Sequence, residues 1–140
     1  ITNVGILNAD GGEIAGTMTN DTNEYGSGTI TGSAGAAGST EFHGKVTNTG
    51  TIRKGTFTNA VINESSGAIN GGTFTGTAES AALAAMGGTI CIEDGIFEGP
   101  VAIRAFSKAK ITMTGGELRG SVVQKGSSEI IIGENVRQTA

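Results

Sequence analysis

The chain holds one histidine, His43, in the run Glu41-Phe42-His43-Gly44-Lys45. Alternate side chains of a strand share a face. With Phe42 turned inward, Glu41 and His43 therefore stand together outside, where a carboxylate and an imidazole can share proton transfer. A single exposed pair of this kind on a repetitive surface is usually solvated polar decoration. There is no second histidine for a His-rich metal site, and Cys91, the only cysteine, has no partner for a zinc set or a disulfide. The expectation is no catalytic, cofactor-binding or metal-binding residue set, and no cofactor.

The remaining acids point the same way. Cleavage of a glycosidic bond needs two carboxylates converging on one groove, yet Asp10, Asp21 and Asp94 lie far apart, and Glu93-Asp94 has the composition of a solvated turn. Neither a Gly-Gly-x-Gly-x-Asp calcium nonapeptide nor a Gly-x-x-x-x-Gly-Lys-Ser/Thr phosphate loop occurs. Thr17-Met18-Thr19, Thr29-Ile30-Thr31, Thr56-Phe57-Thr58, Thr73-Phe74-Thr75 and Thr112-Met113-Thr114 place paired hydroxyl-and-methyl side chains outside a strand, as an ice-binding surface would. Beside the rows at Thr56/Thr58 and Thr73/Thr75, however, the same positions become Glu41/His43, Ile96/Glu98 and Glu117/Arg119. That leaves a short ladder, and threonine is a good outward strand residue in any case.

The elements that would hold these residues are repeats. Gly55-Thr56-Phe57-Thr58-Asn59, Gly72-Thr73-Phe74-Thr75-Gly76, Gly95-Ile96-Phe97-Glu98-Gly99 and Gly116-Glu117-Leu118-Arg119-Gly120 are versions of one phrase, an apolar marker between outward residues. Looser copies place markers at Ile14, Phe42 and Val136, at intervals of 28, 15, 17, 23, 21 and 18 residues; the longest leaves room for a further coil around Gly28–Gly32. A second apolar set precedes the markers (Ile52, Ile69, Ile90/Ile92, Ile111/Met113), and a third follows by four residues (Met18, Val46, Val61, Val101, Val122). Period-two apolar positions in three short segments per repeat predict an all-β, single-chain parallel right-handed β-helix of seven to eight coils, one domain over residues 1–140. Asn20, Asn48 and Asn63, each six residues past a marker, are expected to stack, and Glu98 and Arg119 to be neighbours on successive coils. The Ala-rich run 78–86 reads as a strand rather than a helix, because Ala82–Gly87 aligns with Ile103–Lys108 at an offset of 21. The Gly/Ala/Ser run from Gly32 to Ser39 reads as a loop.

Composition sets the outer limits. With 25 Gly but no Gly-X-Y triplet, the chain is not collagenous. A net charge of −4 leaves no basic footprint for nucleic acid, and no run of about 18 apolar residues encodes a membrane-inserting helix. The chain starts in mid-pattern at Ile1-Thr2-Asn3 and stops at Gln138-Thr139-Ala140, which reads as a piece of a larger parent chain.

Val46-Thr47-Asn48-Thr49-Gly50-Thr51-Ile52, Ser66–Gly76 and Ile111–Leu118 resemble the Asn-x-Gly-x-Ile and Gly-Gly-x-Phe repeats of bacterial surface β-helix proteins. Those include filamentous haemagglutinin-like and autotransporter adhesins and repetitive surface proteins of gut bacteria. The resemblance implies an extracellular or cell-surface location and a non-catalytic structural or adhesive role, with host or bacterial surface glycans or proteins as partners. It transfers no functional residue. The competing expectations are a glycan-binding or polysaccharide-degrading β-helix and, less favoured, an ice-binding solenoid.

Overall fold

The structure is a computed structural model describing residues 1–33 and 38–139. Among these residues there is no helix, and 17 of the strands form one parallel sheet wound into a β-solenoid of about six turns. At about 4.8 Å per turn the rod is roughly 30 Å long. Each coil has three strand positions. The first is occupied by Ile6–Asn8, Thr29–Thr31, Thr51–Ile52, the starts of Gly67–Thr75 and Thr89–Ala105, Lys110–Met113 and Glu129–Ile132. The second carries the markers, and the third follows them. The interval between Ile14 and Phe42 is one long coil, not two: Thr29–Thr31 is its first strand, preceded by an antiparallel hairpin of Thr22–Asn23 with Gly26–Ser27. Of the expected 32–39 loop, residues 34–37 lie outside the described residues.

The core consists of columns. Ile14, Phe42, Phe57, Phe74, Phe97 and Leu118 stack in register. The four rings are nearly parallel, with centroids 4.6, 4.7 and 4.7 Å apart. This spacing is the coil rise itself, so the sheet imposes the ring stack. Val136 does not continue the column, since Leu118 pairs with Gln138. Val136, just before the strand Arg137–Gln138, is nonetheless buried.

The third column runs Met18, Val46, Val61, Leu83, Ile103 and Val122. Val101, expected in it, pairs instead with Ser121; register shifts after Glu98 move Ile103 into place. The Ala-rich run is indeed a strand at Leu83–Ala85, but Leu83 rather than Ala82 faces Ile103, an offset of 20.

Asn20, Asn48 and Asn63 form a fully buried ladder that begins one coil earlier, at Asn3. Asn3 Nδ2 donates to Asn20 Oδ1 (2.9 Å), Asn20 Nδ2 to Asn48 Oδ1 (2.8 Å) and Asn48 Nδ2 to Asn63 Oδ1 (3.0 Å). Asn20 and Asn48 also donate to the carbonyls of Gly28 and Gly50, so one amide holds the next coil and closes its own turn. Every amide points the same way, which lets the chain of hydrogen bonds polarise cooperatively.

Candidate functional site

The outward positions on either side of the marker column form two rows. The row before the markers reads Glu13, Glu41, Thr56, Thr73, Ile96, Glu117, Arg137. The row after them includes Thr75, Glu98 and Arg119 in register. Glu41 and His43 share one face, as expected of alternating strand residues. Glu13 joins them from the preceding coil by pairing with Glu41.

His43 Nε2 lies 3.6 Å from Glu13 Oε1 and 3.6 Å from Glu41 Oε2. Its Nδ1 is 3.0 Å from the hydroxyl of Thr58, one coil further along. Four residues from three consecutive coils thus meet at one exposed point. Glu13 was legible in principle, since it precedes Ile14 as Glu41 precedes Phe42. The 28-residue interval between the two, with its apparent spare coil, concealed their contact.

Two further polar clusters involve residues distant in sequence. Asp10 Oδ1 accepts from Lys54 Nζ (2.9 Å), and both Asp10 carboxylate oxygens accept from the Ser33 backbone N–H (3.0 and 3.1 Å). Hydrogen bonding from the Ser33 side chain first, then from Lys54 and the Ser33 backbone N–H, lowers the Asp10 pKa to about 2. Arg119 lies between Glu98 on the previous coil (3.2 Å) and Glu117 on its own strand (3.0 Å), the first of which pairs is the expected neighbour contact. The hydrogen bond from Arg119 holds the Glu117 carboxyl below the ordinary glutamate range, and the two carboxylates raise the guanidinium.

Two grooves stand out among the described residues. One, of about 280 Å³, is lined by Asp94, Ile96, Glu117, Asn135 and Arg137 at the C-terminal coils. The other, of about 210 Å³, lies beside the third strands and is lined by Ile62, Ala84, Met86, Arg104 and Phe106. Glu93 and Asp94 are exposed, but they lie within the strand Thr89–Ala105, where Asp94 pairs with Asn70 at a register irregularity, rather than in the expected turn; Asp94 Oδ1 accepts from the Gly95 N–H (2.8 Å). Cys91 is exposed and free; Asp10, Asp21 and Asp94 form no common cluster.

Among the described residues, no helix is long and apolar enough to cross a membrane. Comparison with protein-family models, curated proteins and solved structures finds no significant match to this chain.

Proposed function

We propose that this chain is a non-catalytic structural or adhesive β-solenoid module of a bacterial cell-surface or secreted protein. The observation that carries the proposal is the separation of inward and outward roles. Continuous Phe, Ile and Asn columns hold coil on coil, while the outward rows change chemistry from one coil to the next. Such a rod sets distance and presents side chains at a vertical spacing of about 4.8 Å, as a spacer or a binding face requires. The resemblance of its Gly-Gly-x-Phe and Asn-x-Gly-x-Ile phrases to surface β-helix repeats supports the same role and an extracellular setting.

A glycan-interacting module is the second reading, favoured by the groove that Asp94 and Glu117, from successive coils, line together with Asn135 and Arg137. Binding suits this groove better than hydrolysis. A general acid needs a raised pKa, whereas Arg119 lowers that of Glu117.

The test is incubation of the folded chain with acidic and neutral polysaccharides, scored for both retention and new reducing ends. The expected result is no cleavage by wild type or by a Glu41→Ala/His43→Ala variant. Reproducible cleavage overturns the proposal, and its loss in Glu117→Gln or in the double variant locates the site.

A further inference from the structure

We infer that Glu13, Glu41 and His43 form a binding site for a divalent transition-metal cation of the Zn²⁺ type, bridging the first two coils. This goes beyond the structural role proposed above and does not depend on it.

Two observations carry it. The first is the ligand geometry. One atom each from Glu13, Glu41 and His43 lie within 4.8 Å of one another, and the two distances from His43 Nε2 are both 3.6 Å. Zn–N and Zn–O bonds of about 2.0–2.2 Å in a tetrahedral shell place neighbouring ligand atoms roughly 3.4 Å apart. The imidazole and either carboxylate are therefore already close to a shared coordination shell, at distances too long for hydrogen bonds. Thr58 engages Nδ1 at 3.0 Å, leaving Nε2 directed at the carboxylates, the outer-shell arrangement that orients a metal-binding histidine.

The second observation is independent of that geometry. Four described strand pairings bring one charged residue directly against another. Glu98 faces Arg119, Glu117 faces Arg137 and Lys110 faces Glu129, all of opposite sign; only Glu13 facing Glu41 is a like-charge pair. Like charges in directly opposed strand positions are destabilising. The solenoid elsewhere matches sign at such contacts, and the one place where it does not is the place where an imidazole nitrogen also points in. A bound dication removes the mismatch. One imidazole with two carboxylates suits a first-row transition metal better than calcium, which takes an all-oxygen shell.

The experiment is calorimetric titration of the chelator-stripped intact chain with ZnCl₂, together with a Cys91→Ser variant to remove the exposed thiol as a competing ligand. One saturable Zn²⁺ per chain is expected, retained in Cys91→Ser. In the Cys91→Ser background, His43→Ala should weaken binding at least about 100-fold and Glu13→Gln at least about tenfold. Thr58→Val should weaken it about tenfold, within the range for outer-shell partners, and Thr58→Ser should restore it. Circular dichroism verifies that each variant folds, which these exposed positions permit. Absence of saturable binding to the folded Cys91→Ser chain overturns the site, as does binding there that His43→Ala and Glu13→Gln leave unchanged. In that case the cluster is an ion pair of a protonated imidazole with two carboxylates.

Discussion

The Asn ladder stops at Asn63, and the structure supplies a reason that can be tested by exchanging two residues. In the corner between the third strand and the next first strand, two columns face each other. One runs Asn3, Asn20, Asn48, Asn63, Ala85, Ala105, Gln124, and across it Gly67 is followed in register by Ile90, Ile111 and Ile130. A Cβ added at Gly67 would collide with Asn63 Nδ2, so the amide occupies the volume that an isoleucine side chain fills in later coils. The corner thus has two solutions, Asn with Gly or Ala with Ile. Asn63→Ala alone removes the acceptor of Asn48 Nδ2 (3.0 Å) and leaves a void, costing about 1–3 kcal/mol. Gly67→Ile alone overpacks the same space at a cost of about 1–3 kcal/mol. Gly67 lies outside the left-handed region, so its backbone accepts a side chain. In the Asn63→Ala/Gly67→Ile double variant the new isoleucine side chain stacks on Ile90 and enters the space the amide has left, and we expect stability above that of either single variant, a coupling of about 1–3 kcal/mol. Urea unfolding followed by circular dichroism on the four proteins measures this. Additivity within about 0.5 kcal/mol would refute the exchange.

Phe74 is fully buried between two rings; Phe74→Ala should cost about 3–5 kcal/mol by the same unfolding assay, against under about 1 kcal/mol for Thr75→Ala on the outer row. The Asp10 carboxyl, with its pKa near 2, should show a carbon-13 titration midpoint far below the usual value of about 3.9, and removing the Ser33 hydroxyl (Ser33→Ala) or Lys54 (Lys54→Met) should each raise that midpoint. Because its folded pKa is depressed, its contribution to stability is complete above about pH 4 and is lost as pH falls toward 2, so acid unfolding should begin at a higher pH in Lys54→Met than in wild type. Arg119→Gln should raise the Glu117 midpoint, and since the Arg119 guanidinium is solvent-exposed, high salt should reduce the difference between the two proteins.

The core was largely legible in the sequence because period-two alternation and stacked like residues are one-dimensional signals. Phe42, Phe57, Phe74 and Phe97 announce a column by their flanking glycines and threonines alone. Register was harder wherever a corner changes length. Marker to third column is four residues at Leu118/Val122, six at Phe97/Ile103 and nine at Phe74/Leu83. A fixed offset of four therefore selected Val101, which the irregularity around Gly99-Pro100 displaces, and overlooked Leu83. The candidate site was half legible. Glu41 and His43 follow from alternation within one strand, but Glu13 and Thr58 reach them only through pairing between coils.

The corners explain why the outward chemistry is harder to read than the core. Each coil absorbs insertions where the chain turns, as with the Thr22–Ser27 hairpin, and returns to the same inward register afterwards. Coil length is thereby uncoupled from core geometry, and two outward residues meet according to their offset from the marker rather than their separation in sequence. Glu13 and Glu41, 28 residues apart, are as directly opposed as Glu98 and Arg119, 21 apart. The vertical neighbours of an outward residue are thus the meaningful unit. By that measure Glu98 on Arg119 is an ordinary compensated pair, worth little at an exposed position. Glu13 on Glu41 is a like-charge pair whose one cationic candidate is the His43 imidazole beside it, held in place by a core that would tolerate threonine there as readily as it does at Thr56 and Thr73. A stacking that stability alone does not favour is where a ligand-dependent role is to be sought.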